Sequence, residues 1–189
     1  LNTIVKATAL LIVGVAGGIW SAHRGIENAA TRHAGSPWKT WTRDAVRSSP
    51  YADAHFVLAG HLPMPASQFI VYEAGTDSEG GALDGDCAYV VAGKLPAVRW
   101  WSISAGERRG DADTADRGPA QQLTSAKAIA EASGEIRIAV APGPMLGNWI
   151  SARDSANFSL TFVLHDPARR GGPFPGPGEL PTIQRTVCN

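Results

Sequence analysis

The chain has 189 residues, 17 of them basic and 17 acidic, for a formal net charge of zero. That length suits one domain with a short appendage, and the balanced charge excludes a basic nucleic-acid stripe and an acidic solvating tail. Gly 21 and Pro 13 are high for a helical protein and point to many turns between short strands.

Residues 4–22 form the most apolar stretch. Lys6 is its one charge, and Thr8 is its only polar residue from Ala7 to Trp20. An α-helix of about 20 such residues spans a bilayer core. Lys6 can turn its ammonium back to the headgroups, and Trp20 sits where an interfacial aromatic belongs. Residues 1–24 are therefore expected to be a single transmembrane anchor. A cleaved signal peptide also begins with a positive charge and an apolar run, but cleavage after Ala22 would set bulky Trp20 at the −3 position. A soluble core helix would show a polar face, which this stretch lacks. Gly14 and Gly18 stand in G-x-x-x-G spacing with Gly17 beside them. Small residues one turn apart let a neighbouring helix approach closely, so these three are the expected packing face.

Residues 25–49 read as a helical connector near the membrane. The helix is expected to continue to Gly35, a natural stop. Ser36-Pro37 then has the form of a cap and first turn of a second helix. In that helix Trp38, Trp41 and Ala45 would share one face, packed on the domain or laid on the membrane surface. Trp38 and Trp41 thus join Lys6 and Trp20 as expected membrane-interface residues.

Residues 50–189 read as a strand-rich domain. Residues 51–62 form a helix or an extended entry segment. Residues 67–74 carry β-formers, and two turns follow at 76–81 and 83–86. Residues 87–92 are a strand that Gly93-Lys94-Leu95-Pro96 should break. Residues 99–104 are another, centred on Trp100-Trp101, of which one must face the core and the other outward. Residues 106–127 are polar and read as a surface loop. Residues 135–140 and 158–164 alternate strictly, the mark of half-buried strands. Residues 171–181 are rich in proline and glycine. The fold class is mainly β, an antiparallel β-sandwich or jelly roll behind a transmembrane helix.

No constellation here compels a reaction. Asp77, Glu79, Asp84 and Asp86 are turn carboxylates that do not fit an EF-hand loop. Ser102 with His55, His61 or His165 makes a nucleophile and base on paper, but no G-x-S-x-G elbow surrounds Ser102. No second Cys or His lies at metal-ligand spacing from Cys87 or Cys188. Outside the cytoplasm these two cysteines are expected to pair and close a long loop. Neither a catalytic set nor a cofactor is expected.

Several ordered phrases resemble a known family. They are Thr76-Asp77-Ser78, Leu83-Asp84-Gly85 with Tyr89, Leu95-Pro96, and Trp100-Trp101-Ser102. Ser133-Gly134-Glu135-Ile136-Arg137-Ile138, Gly147-Asn148-Trp149, Asp166-Pro167 and Pro181-Thr182-Ile183 follow. Their order and spacing over residues 50–185 resemble the bacterial DUF1214 family, a domain of unknown function. The resemblance implies an envelope β-sandwich, in some members behind one span, and no established reaction. Three departures stand out: Ile150-Ser151 replaces the usual Leu-Pro, an Arg-Tyr pair common in the central loop is missing and Arg108-Arg109 are no convincing replacement, and Val163 and His165 or their neighbours stand for a late Arg and Tyr. A count of positive charges around the span would place the domain in the cytoplasm. The paired cysteines and the resemblance place it outside, and that placement is the one adopted: inner membrane, single pass, domain periplasmic.

Two functions are then expected. The first is a non-catalytic accessory subunit of a larger bacterial membrane complex, photosynthetic or respiratory. Its partners are the bilayer and integral membrane subunits, met through the anchor and the sandwich surface, with no nucleic acid. The second is an envelope domain that binds or processes a small ligand in a pocket near Tyr72, Asp77, Trp101, Asn148 and Trp149.

Overall fold

Alternation of apolar and polar side chains decides most of the architecture. In a strand, side chains two apart share a face, so a period of two makes one face apolar. The computed structural model describes residues 2–32, 35–41, 49–59, 65, 68–95, 98–107, 122–152, 157–165 and 179–188. In chain order these hold α1 (Asn2–Asn28), β1 (Thr31–Arg32), β2 (Lys39–Thr40), α2 (Pro50–Ala59), β3 (Phe69–Ala74) and β4 (Cys87–Lys94). Then come β5 (Trp100–Glu107), β6 (Gln122–Thr124), β7 (Glu135–Ala141), β8 (Asn148–Ser151), β9 (Phe158–His165) and β10 (Thr182–Cys188).

The strands form two sheets, in the orders β1-β2-β3-β9-β5-β6 and β10-β4-β7-β8. The described pairings are antiparallel except that of β7 with β8, which is parallel. The fold class expected from the sequence is the one observed. β9 lies inside the larger sheet and buries Phe158, Leu160, Phe162 and Leu164 on one face. Ile70 and Tyr72 of β3 and Trp101 and Ile103 of β5 join them. The smaller sheet answers with Tyr89, Val91, Ile138, Val140 and Ile150. Full burial of each large apolar side chain is worth about 1.5–3 kcal/mol, so this interior carries most of the stabilisation.

β4 runs on through Gly93, where the sequence predicted a break. A Cβ there would sit 3.1 Å from the Cα of Pro181, so glycine lets the β10 entry cross close to the sheet. Cys87 and Cys188 are register neighbours on β4 and β10 and form the expected disulfide, closing a separation of 101 residues.

The connector departs most from expectation. Residues 39–40 are a strand, paired with β3 through Lys39 opposite Glu73 and Thr40 opposite Tyr72. The Ser36 hydroxyl does accept the Trp38 N–H, at 3.3 Å, but as a turn rather than a helix cap. Trp38 is not at a membrane surface. It is fully buried in the sandwich core, where its indole N–H donates to the Pro181 carbonyl at 2.7 Å. Core burial of an indole outweighs the weak helix signal of Ser-Pro. Trp41 is also buried, in a smaller cluster with Ala52 and Phe56. Ala45 lies outside the described residues, as do 108–121 of the expected surface loop. Gln122–Thr124 of that loop form β6 on the edge of the larger sheet.

α1 stands apart from this interior. It is long and apolar enough to cross a membrane, with a mean hydropathy of 1.8 over its most apolar window and none of that window buried.

Candidate functional site

Of the five residues expected to line a pocket, Tyr72 and Trp101 meet at the Phe162 ring in the core, while Asp77, Asn148 and Trp149 are engaged with backbone elsewhere. Tyr72 lies on the inner face of β3, its ring 6.4 Å from that of Phe162. Burial, and secondarily the charge of Glu179, push its pKa up to about 12, so the phenol stays neutral. Asp77 organises a turn. Its Oδ1 accepts the N–H groups of Gly81 at 2.7 Å and Glu79 at 3.1 Å, and its Oδ2 lies 3.3 Å from Arg185 Nη2 on β10. The turn continues into β10 through Ser78, whose N–H donates to the Ile183 carbonyl while its hydroxyl accepts the Ile183 N–H.

Asn148 opens β8 and clamps backbone. Its Oδ1 accepts the Ile129 N–H, and its Nδ2 donates to the carbonyls of Ile129 and Arg137. Trp149 points to the other face of β8, where its indole N–H donates to Ala141 at 3.3 Å. Trp101 borders an apolar gap between the sheets lined also by Val91, Ile138, Phe162 and Pro181. Its volume is about 10 Å³, barely enough for one water and far below the several hundred Å³ of a small-molecule site.

The Ser–His combinations fare no better. Ser102 is opposite Val163, and His165 is opposite Trp100, so the two are only diagonal neighbours. His165 instead packs its ring edge-on to Phe69 at 3.7 Å and Trp100 at 4.8 Å. His61 lies outside the described residues. Among the described residues no group of three or more His, Cys, Asp or Glu side chains could hold a metal ion.

Side chains do converge where α1 meets the sandwich. Gly25 lies beneath the Tyr51 ring of α2, and a Cβ there would come within 2.5 Å of it. One residue on, the Ile26 carbonyl accepts the indole N–H of Trp41 at 3.1 Å. The Trp41 ring is stacked on His55 of α2, with centroids 3.6 Å apart and planes 6° apart. His55 Nε2 reaches to 3.8 Å from Glu73 of β3. Lys39 of β2 and Glu27 of α1 close the collar at 3.5 Å. The last turn of α1 is thus fastened to Tyr51 of α2, to Lys39 of β2 and to Trp41, and His55 carries the chain of contacts on to β3. Sequence reasoning missed this collar, because its pairs lie 12 to 26 residues apart and no periodicity marks them.

Toward its start α1 is bare. Gly14, Gly17 and Gly18 have no neighbour within 4 Å of where a Cβ would stand, and Lys6 is exposed. Trp20 is 64% exposed and carries the Arg24 guanidinium over its ring at 5.5 Å. This is the arrangement expected of an interfacial tryptophan beside a snorkelling cation.

The model of a protein family of unknown function, DUF1214, matches residues 68–169, more than half of the chain. The chain belongs to the DUF1214 family. The matched part runs from the start of β3 past the end of β9, so α1, α2, β2 and β10 flank the DUF1214 segment. Two solved structures share the fold. One is a Vibrio parahaemolyticus protein, 18% identical with a TM-score of 0.54, matched over 72% of this chain and 35% of that one. The other is a putative uncharacterised protein from Burkholderia cenocepacia, 16% identical with a TM-score of 0.52, matched over 92% of this chain and 42% of that one. This DUF1214 chain therefore spans well under half the length of either. No curated protein matches it.

Proposed function

We propose that this DUF1214 protein is a non-catalytic, membrane-anchored accessory module on the periplasmic face of a bacterial inner membrane, recruited to integral membrane subunits by α1. One observation carries the reading. The apolar length of α1 is wholly unburied, while its last turn is locked into the domain. An unburied apolar helix needs a covering of lipid or other helices. A rigid collar at its base makes the position of the sandwich follow the position of the helix. The Cys87–Cys188 bridge supports an oxidising compartment. The bare Gly14/Gly18 face supports helix–helix packing as the mode of recruitment. Simultaneous contact by helix and sandwich would raise avidity through effective concentration, so neither contact need be strong alone.

Purification of the full chain from native membranes in mild detergent, through a tag after Asn189, tests this. Stoichiometric integral membrane partners are expected, and they should be lost in a Gly14→Leu/Gly18→Leu variant. A monodisperse monomer without partners refutes recruitment. The intact mass of the membrane-bound protein tests the anchor, since cleavage after Ala22 would remove it.

A further inference from the structure

α2 is apolar around nearly its whole circumference: Pro-Tyr-Ala-Asp-Ala-His-Phe-Val-Leu-Ala. A helix of that kind belongs in an interior. Only one side of α2 has one. Ala52, His55 and Phe56 are buried against Trp41 and the adjoining end of α1. On the opposite side Val57 is 79% exposed and Leu58 66%, while Tyr51, 45% exposed, flanks this face where it packs on Gly25. The single carboxylate of α2, Asp53, is half-buried to the side of that face.

We propose that this outer face of α2 lies in the headgroup–acyl boundary of the same bilayer that α1 crosses, as a second membrane contact in the plane of the interface. The proposal rests on the reading of α1 as a span. Distance along α1 identifies the bilayer as the occupant. Gly25, where Tyr51 packs, is five residues past Trp20, about 7.5 Å of helix rise. Each interfacial layer outside the hydrocarbon is roughly 5–7 Å deep. Tyr51, near the start of α2, is therefore held at the outer edge of that layer, and a helix radius of about 5 Å lets side chains of an α2 lying in the plane reach back into it. The direction is right as well. The inner face of α2 meets Trp41 and, through His55, Glu73 of β3, so the outer face is turned away from the sandwich. Arg24 lies at the same level, as the basic residues of interfacial helices do. With α1 as the sole contact, helix and sandwich would be free to tilt in the bilayer as one body. A second contact at Val57 and Leu58 fixes the tilt.

The test uses the full chain with Cys87–Cys188 oxidised, reconstituted in phosphatidylethanolamine–phosphatidylglycerol vesicles. Single nitroxide labels are placed at Val57→Cys, Leu58→Cys, Val13→Cys and Gln184→Cys. Their collision rates with oxygen, which concentrates in lipid, and with a water-soluble nickel chelate are compared. Labels at 57 and 58 are expected to meet oxygen several-fold more often than nickel. The label at 13 should do so more strongly still, and the label at 184 on β10 should show the reverse. Nickel-accessible labels at 57 and 58 with a lipid-buried label at 13 overturn the proposal and leave the span intact. A nickel-accessible label at 13 overturns both. Labels at 57 and 58 screened from both reagents mean that protein rather than lipid covers α2, which also overturns the proposal.

Discussion

Replacing Asn148 separates a ligand-binding role from a structural one. Its carboxamide makes three bonds: Oδ1 accepts from Ile129 N at 2.8 Å, and Nδ2 donates to Ile129 O at 2.7 Å and Arg137 O at 3.0 Å. Asn148 is only 9% exposed, whereas the Ile129 side chain is 67% exposed, so water has partial access to the site. In Asn148→Ala each bond then costs about 1 kcal/mol rather than the full penalty of a dry orphan, or about 2–3 kcal/mol in all. At about 2–4 °C per kcal/mol for a chain of this size, Tm falls by roughly 5–10 °C. Asn148→Asp is the sharper probe because it keeps the shape. Its carboxylate still accepts from Ile129 N but faces two carbonyl oxygens that have lost their donor. It should be at least as damaging as alanine at neutral pH. Protonation restores a donor, so the folded-state pKa of the new carboxyl lies above its unfolded value. Its stabilising contribution is complete below the unfolded pKa and is lost as pH rises through the folded one. Thermal melts of the full chain in detergent, followed by the sheet circular-dichroism signal from acid to neutral pH, measure this. An Asn148→Asp variant as stable as the parent at neutral pH refutes the clamp.

Three other outcomes follow from the same contacts. Cys87→Ala/Cys188→Ala should lose up to about 4–5 kcal/mol on the chain-entropy account of so long a loop, and reductant should lower the denaturation midpoint of the parent but not of the variant. Asp77→Asn keeps the acceptor for Glu79 and Gly81 and loses the ion pair between the buried carboxylate and the partly exposed Arg185, so a smaller loss is expected than the about 2–3 kcal/mol of Asp77→Ala, which also orphans both N–H groups. Chemical denaturation that ranks the two alike refutes the turn role. Tyr72, with its pKa raised to about 12, contributes stability that is complete below the ordinary tyrosine value near 10 and lost as pH rises through 12. Tyr72→Phe should flatten that alkaline loss, as read from melts across the interval.

The strands legible in the sequence are those with one wet and one dry face. β3, β4, β7 and β9 alternate in burial along most of their length; the side-chain period marks β7 and β9, and β-forming residues mark β3. The Trp100-Trp101 pair resolved as the pleat requires, with Trp101 in the core and Trp100 half-buried outside against His165. β10 escaped because Ile183 is its one buried side chain, so it carries no period to read. β8 is four residues long, and its parallel pairing follows a short turn that leaves no periodic trace. Trp38 was misplaced for a different reason. Its partner Pro181 is 143 residues away, and the local Ser-Pro signal outranked a contact that no local pattern records. Asn148 and Asp77 looked like binding groups because polar side chains that tie turns and those that hold ligands are the same residue types. Only the hydrogen-bond partners tell them apart.

The pairing of β4 with β10 also imposes an order of events on synthesis. β4 ends at Lys94, and its edge partner begins at Thr182. At about 5–20 residues per second, that interval leaves the open edge of β4 without its neighbour for on the order of ten seconds. An unpaired strand edge is a template for wrong partners. Cys87 waits out the same interval as a free thiol, and Trp38 waits for the Pro181 carbonyl. A chain already tethered through α1 would spend this period confined to a membrane surface, at a local concentration that favours pairing between neighbouring copies until β10 arrives.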